Sequence, residues 1–217
     1  YANDIFDKIE SIVAAHRDHL ALACTPADLV QNKQAGRKSI VLGIENGLAL
    51  EGRLEHLTHF RNRGVAYMTL CHNGHNDICC SARSEEKDRG VFPFGEKVIR
   101  EMNRLGMMVD LSHGSEQSFY DALDISCTPI VCSHSNSKAL CNHPRNLTDD
   151  QLRALAAHGG VAHTTFYPGF LRTDSEATIR DGVAHLEHAI QVMGIDHVGI
   201  GTDFDGDGGV PGMNDAS

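Results

Sequence analysis

Six short apolar runs recur along the chain, with helical patterns in the intervals between them. They cover residues 39–45, 65–70, 107–111, 129–132, 160–166 and 197–203. Each is continuously apolar rather than alternating, which suits strands of a parallel sheet covered on both faces. A helix with Ile5, Phe6, Ile9, Ile12 and Val13 on one face precedes them, with Asn3 placed to cap it. Further helices are expected near 54–63, 95–105, 115–123 and 177–193, and Thr148 with Gln151 forms a capping box that opens another. The alternation defines an α/β fold, either an open doubly wound sheet or part of an eight-stranded barrel.

The polar residues at the ends of the runs separate the two. No GxGxxG or GxxxxGK[ST] follows the first run, so a nucleotide-binding sheet lacks its usual evidence. Glu45 and Asp203 close the first and last runs, while His72, His113 and His134 lie just past the second, third and fourth. Reactive groups of a barrel converge from the carboxyl ends of its strands. Any one of these is most simply a hydrogen-bonded loop residue, but five together are a candidate site. Imidazole and carboxylate suit zinc, which takes N and O donors at roughly 2.0–2.2 Å.

With 14 histidines, decoys are expected. His16-Arg17-Asp18 spells HxD but closes the first helix instead of lying on a strand, so it is rejected as a ligand pair. His19, His56, His59, His158, His185 and His188 fall on helical or turn patterns and read as surface residues. His163 lies within a run and could point into a barrel. Residues 203–208 alternate Asp with Phe or Gly, yet no closing Glu or second helix completes a calcium loop. Asp205 and Asp207 therefore read as solvated, and Asp203 stays the candidate.

The 217 residues contain no Pro- or Ser-rich linker and read as one domain, 1–217. With 19 basic against 29 acidic residues, the formal charge of −10 disfavours nucleic acid and anionic lipid as partners. No run of 18 apolar residues and no signal-like start occurs, so no membrane segment is expected in this chain. Seven cysteines without a CxxC spacing read as free thiols of a reducing compartment.

The chain resembles the membrane (renal) dipeptidase family of zinc metallopeptidases from about Ile5 to Asp215. The segments that carry the resemblance are Gly43-Ile44-Glu45-Asn46-Gly47, Tyr67-Met68-Thr69-Leu70-Cys71-His72-Asn73, Phe94-Gly95-Glu96-Lys97-Val98, Met102-Asn103-Arg104-Leu105-Gly106, Asp110-Leu111-Ser112-His113, Ser133-His134-Ser135, Arg145-Asn146-Leu147 and Gly201-Thr202-Asp203-Phe204-Asp205-Gly206. It implies a (β/α)8 TIM-type barrel of which this chain holds about six strands, resembling strands three to eight. It implies hydrolysis of dipeptides by a metal-activated water at a two-zinc centre. Glu45 would bridge the ions, His113 and His134 would bind one of them, and His72 would polarise the scissile carbonyl. Arg145 would hold the substrate's terminal carboxylate, and Asp203 would exchange protons. The family often forms homodimers.

The family's first strand, whose HxD supplies the other zinc's ligands, has no counterpart before Asn3, so the chain is expected to be a fragment of a larger enzyme. Cys79-Cys80-Ser81 stands where relatives tend to carry an acidic residue before the serine, a change expected at the rim of the site. His163 stands where they tend to have a polar amide or an apolar residue. Two alternatives stay open: another barrel amidohydrolase acting on a cyclic amide, lactone or β-lactam, and a truncated non-catalytic metal-binding relative.

Overall fold

The computed structural model of this chain describes all residues except Lys87, Asp88, Asp207, Ala216 and Ser217. Helix α1 (Ala2–Ala15) leads into a parallel pair of three-residue strands, β1 (Leu20–Leu22) and β2 (Lys38–Ile40), joined by α2 (Pro26–Gln34). From β3 (Leu42–Glu45) onward, helices and strands alternate. The order is α3 (Glu55–Asn62), β4 (Val65–Thr69), α4 (Pro93–Leu105), β5 (Met108–Asp110), α5 (Glu116–Ile125), β6 (Val131–Cys132), α6 (Asp149–Ala157), β7 (Val161–Thr164), α7 (Pro168–Leu171), α8 (Ile179–Met193) and β8 (Val198–Ile200). Strands β3 to β8 form one parallel six-stranded sheet in strict chain order. A doubly wound sheet reverses its order at a switch point, and this one never does, so it is an arc of a (β/α) barrel.

Side chains alternate across each strand, and the two faces differ. Leu42, Ile44, Met68, Val109, Ile130, Cys132 and Ala162 are buried in one cluster with Leu57 and Phe60 of α3, Met102 of α4, Phe119 of α5, Leu155 of α6 and Met193 of α8. Each large apolar side chain in that layer contributes about 1.5–3 kcal/mol when fully withdrawn from water. The other face presents Gly43, Tyr67, Met108, Val131, Val161, His163 and Gly199, all half-buried or exposed. Among the described residues helices thus cover the outer face alone, which corrects the expectation of cover on both. On the inner face the Tyr67 ring fills the space a Cβ would take at Gly43, and the His163 ring does the same at Gly199.

Three local departures have physical causes. The run 39–45 breaks at Val41, so Ser39 and Ile40 pair with β1 while Leu42 to Glu45 pair with β4. Asn3 does not cap α1, which starts after Tyr1; its Oδ1 instead lies 2.9 Å from His59 Nε2 of α3. Helix α2, which no sequence pattern above anticipates, opens on a capping box of Thr25 and Asp28. The box expected at Thr148 is present, with Gln151 N donating to Thr148 Oγ1 (3.1 Å) and Thr148 N donating to Gln151 Oε1 (2.9 Å). Among the described residues, no helix is long and apolar enough to cross a membrane.

Candidate metal centre

The carboxyl ends of β3, β4, β5, β6 and β8 deliver side chains to one mouth. Glu45 is the last residue of β3, while His113 and His134 follow β5 and β6 by three and two residues. One ligating atom from each lies within 4.8 Å of the others. The Nε2 atoms of His113 and His134 are 2.9 Å apart, and Glu45 Oε1 stands 3.2 and 3.4 Å from them. Ligands about 2.0 Å from a tetrahedral ion are themselves about 3.3 Å apart, so these three edges fit one divalent metal. His113 and Asp203 both sit at positive φ, 71° and 62°. Such left-handed backbone in non-glycine residues is costly, and it concentrates at functional sites.

The remaining candidates surround this group. His72 packs against His113, ring centroids 4.4 Å apart. Asp203 lines a cavity of about 240 Å³ with Glu45, Tyr67, Thr69, Ser133 and His134. Arg145 is buried beneath the mouth; its guanidinium donates to the carbonyl of His134 at 3.3 Å and lies over the Phe170 ring. Its Nε has no partner, and no carboxylate among the described residues pairs with it.

Electrostatics follow from this geometry. The imidazoles of His113 and then His134, set against Glu45 Oε1, hold its carboxyl well below the usual range. Burial pushes His113 down to about 4, against the opposing pull of Glu45. Both groups are thereby kept in the forms that bind metal. Burial lowers Arg145 to about 10, offset by the fields of Asp110 and Asp203, and raises Asp203, with Glu45 adding to the rise.

Other residues behave differently from their sequence reading. His163 points onto the inner face, but its Nδ1 meets the Cys132 carbonyl at 3.2 Å and it lies outside the metal-binding group. His185, expected at the surface, is buried: Ser137 N donates to its Nδ1 (3.1 Å) and its Nε2 meets the Leu171 carbonyl (2.9 Å). It ties the loop at Ser137 and the end of α7 to α8. Cys79 and Cys80 are fully buried rather than at the rim; the Cys80 carbonyl accepts from Ser115 N and Ser118 Oγ at the start of α5. All seven cysteines are free thiols. Asp205 borders the groove beside Glu45 and the α1–α3 cleft, and Asp207 lies outside the described residues.

The sequence reading passed over Asp110 and Ser133. Asp110 is fully buried, and its Oδ2 accepts from Ser133 Oγ, which in turn contacts His134 Nδ1. The signal was present in Asp-Leu-Ser-His and Cys-Ser-His, where a serine precedes each histidine at a strand end.

A barrel arc with two imidazoles and a carboxylate gathered at its carboxyl-terminal mouth defines a protein of the metal-binding barrel class. Comparison with known sequences narrows that class: residues 3–217 match the family "membrane dipeptidase (peptidase family M19)", and the chain belongs to that family. It is 40% identical over 200 residues to an uncharacterized dipeptidase of Schizosaccharomyces pombe, covering 89% of this chain and 48% of that protein. It is 37% identical over 214 residues to the dipeptidase tcpJ of Claviceps purpurea, covering 97% and 50%. The chain spans about half the length of these relatives. Among solved structures, it superposes with a TM-score of 0.90 and 29% identity on a Rhodobacter sphaeroides metallo peptidase liganded with a phosphinate mimic of the dipeptide L-Ala-D-Ala, covering 96% of this chain and 62% of that one.

Proposed function

We propose that the chain carries the greater part of the active site of a zinc-dependent dipeptidase. The observation that carries this reading is Arg145, a buried guanidinium without a carboxylate partner, whose donors reach the residue that also offers a metal-binding imidazole. A buried cation left unpaired is costly, and a planar fork matches a substrate carboxylate. Placed beside the triad, it selects peptides whose free C-terminus lies one residue from the scissile bond.

Glu45, His113 and His134 would hold one zinc. Glu45 is half-exposed, and its carboxylate would be shared with a second ion. Bound zinc supplies Lewis acidity and brings the pKa of water toward neutrality. The protein's own groups do the rest. Arg145 anchors the substrate carboxylate. His72, its ring against that of His113, donates to the scissile carbonyl oxygen as negative charge develops there. Asp203, raised by burial, takes a proton from the attacking water and returns it to the leaving amine.

The test compares a dipeptide with its C-terminal amide, using wild type and Arg145→Ala, with metal counted in each preparation. Wild type is expected to favour the free acid, and Arg145→Ala to lose that preference while keeping its zinc. Equal rates on acid and amide in both proteins would sink the carboxylate anchor. Absence of bound metal in folded wild type would sink the enzyme.

A further inference from the structure

We infer that Asp110 is a positioning residue for the metal ligands, acting through Ser133 to set the tautomer of His134 and through two backbone amides to hold both ligand-bearing turns. The inference rests on the reading of His113 and His134 as ligands. Asp110, at the end of β5, has no exposed surface. Four donors converge on its carboxylate. Oδ2 accepts from Thr69 Oγ1 at 2.6 Å and from Ser133 Oγ at 2.5 Å, while Oδ1 accepts from Ser112 N and Ser133 N, both at 2.9 Å. Ser112 and Ser133 are the residues immediately before His113 and His134. A further bond joins the turns directly: His134 N donates to Ser112 Oγ at 2.9 Å.

The proton count then determines the imidazole. A hydroxyl has one proton to give, and at 2.5 Å Ser133 gives it to Asp110. Its oxygen must therefore accept from His134 Nδ1, 2.8 Å away, so that nitrogen carries the hydrogen. His134 Nε2 is left with its lone pair toward Glu45 and His113. The chain Asp110–Ser133–His134 is thus a carboxylate–hydroxyl–imidazole relay of the kind that orients a metal ligand and raises its basicity. His113 has no such support; its Nδ1 is buried without a partner. The asymmetry predicts that His134 is the ligand whose orientation is held before metal arrives.

The experiment uses the full-length protein with Ser133→Ala, Ser133→Thr and Asp110→Asn, measuring zinc affinity by competition with a chromophoric chelator. Imidazole nitrogen spectra of the metal-free protein report the tautomer. Ser133→Ala is expected to weaken zinc binding about 10–100-fold, to lose the Nδ1–H signal of His134, and to be rescued by Ser133→Thr, which keeps the hydroxyl. Asp110→Asn should follow Ser133→Ala; should it fail to fold, the serine pair still decides. Wild-type zinc affinity in Ser133→Ala, or a wild-type His134 protonated on Nε2, would overturn the inference. If unaltered protein bound no zinc, the ligand reading would fall, and the tautomer spectrum would still decide the relay.

Discussion

The guanidinium carbon of Arg145 lies 5.2 Å from the centroid of the Phe170 ring, although 25 residues separate the two along the chain. The ring is held in turn: Asn146 Nδ2 donates to the Phe170 carbonyl at 2.8 Å, and the tilted rings of His143 and Tyr167 lie against Phe170 with centroids at 4.6 and 4.5 Å. Arg145 is therefore aimed by an aromatic surface, not by an acid. Phe170→Leu keeps an apolar side chain and removes the π face, and a cation–π contact is worth about 0.5–2 kcal/mol. We expect KM for dipeptides to rise several-fold with kcat little changed; an altered kcat at constant KM would contradict the assignment.

Asp203 is expected to matter to the chemical step and little to binding. Asp203→Asn keeps the shape of the cavity wall but cannot carry a proton between water and amine, and general acid–base catalysis contributes about 10²–10⁴-fold. Steady-state kinetics on zinc-loaded protein should show that loss in kcat. Full activity in Asp203→Asn would remove the residue from the mechanism.

Metal-free protein is expected to lose stability on acidification because of His113. Its folded value, about 4, lies below the unfolded value of about 6.5. A depressed value contributes stability that is complete above the unfolded pKa and is lost as pH falls toward the folded one. Between pH 7 and 4.5 the loss is about 2–3 kcal/mol, and Glu45, also lowered, acts in the same direction at still lower pH. Urea unfolding of chelator-treated wild type and His113→Gln tests this: the variant should show the shallower decline, and parallel curves would refute it.

Gly201 joins the end of β8 to the turn that bears His134. A Cβ there would meet the Ser133 carbonyl and stand 2.9 Å from His163 Cβ, and neither can yield without moving backbone. Gly201→Ala is expected to cost about 1–3 kcal/mol by overpacking, seen as a lower Tm, and to reduce activity by displacing Asp203. Wild-type Tm would show that the strand end has more room than the Ser133 contact allows.

The strands of the large sheet were legible because each is a short apolar run bounded by polar residues, and the mouth was legible because Glu45, His113, His134 and Asp203 each stand at such a boundary. What stayed hidden had a different origin. The pair β1 and β2 consists of three-residue strands whose pairing depends on the helix between them, too short a span for any periodicity to register. The burial of His185 arises from a loop amide at Ser137 and the carbonyl at the end of α7, brought together only by the fold. Asp110 reads as an ordinary strand residue, since nothing local announces that four donors from three strand ends will meet on it.

The two rings that lie over glycines of a neighbouring strand, Tyr67 over Gly43 and His163 over Gly199, bind the sequence history of those strands together. A side chain can be gained at either glycine only if the opposite ring shrinks at the same time. Each pair should therefore vary among relatives as a reciprocal exchange of bulk. A relative with alanine or larger at the position of Gly199 would be expected to carry something smaller than histidine at that of His163.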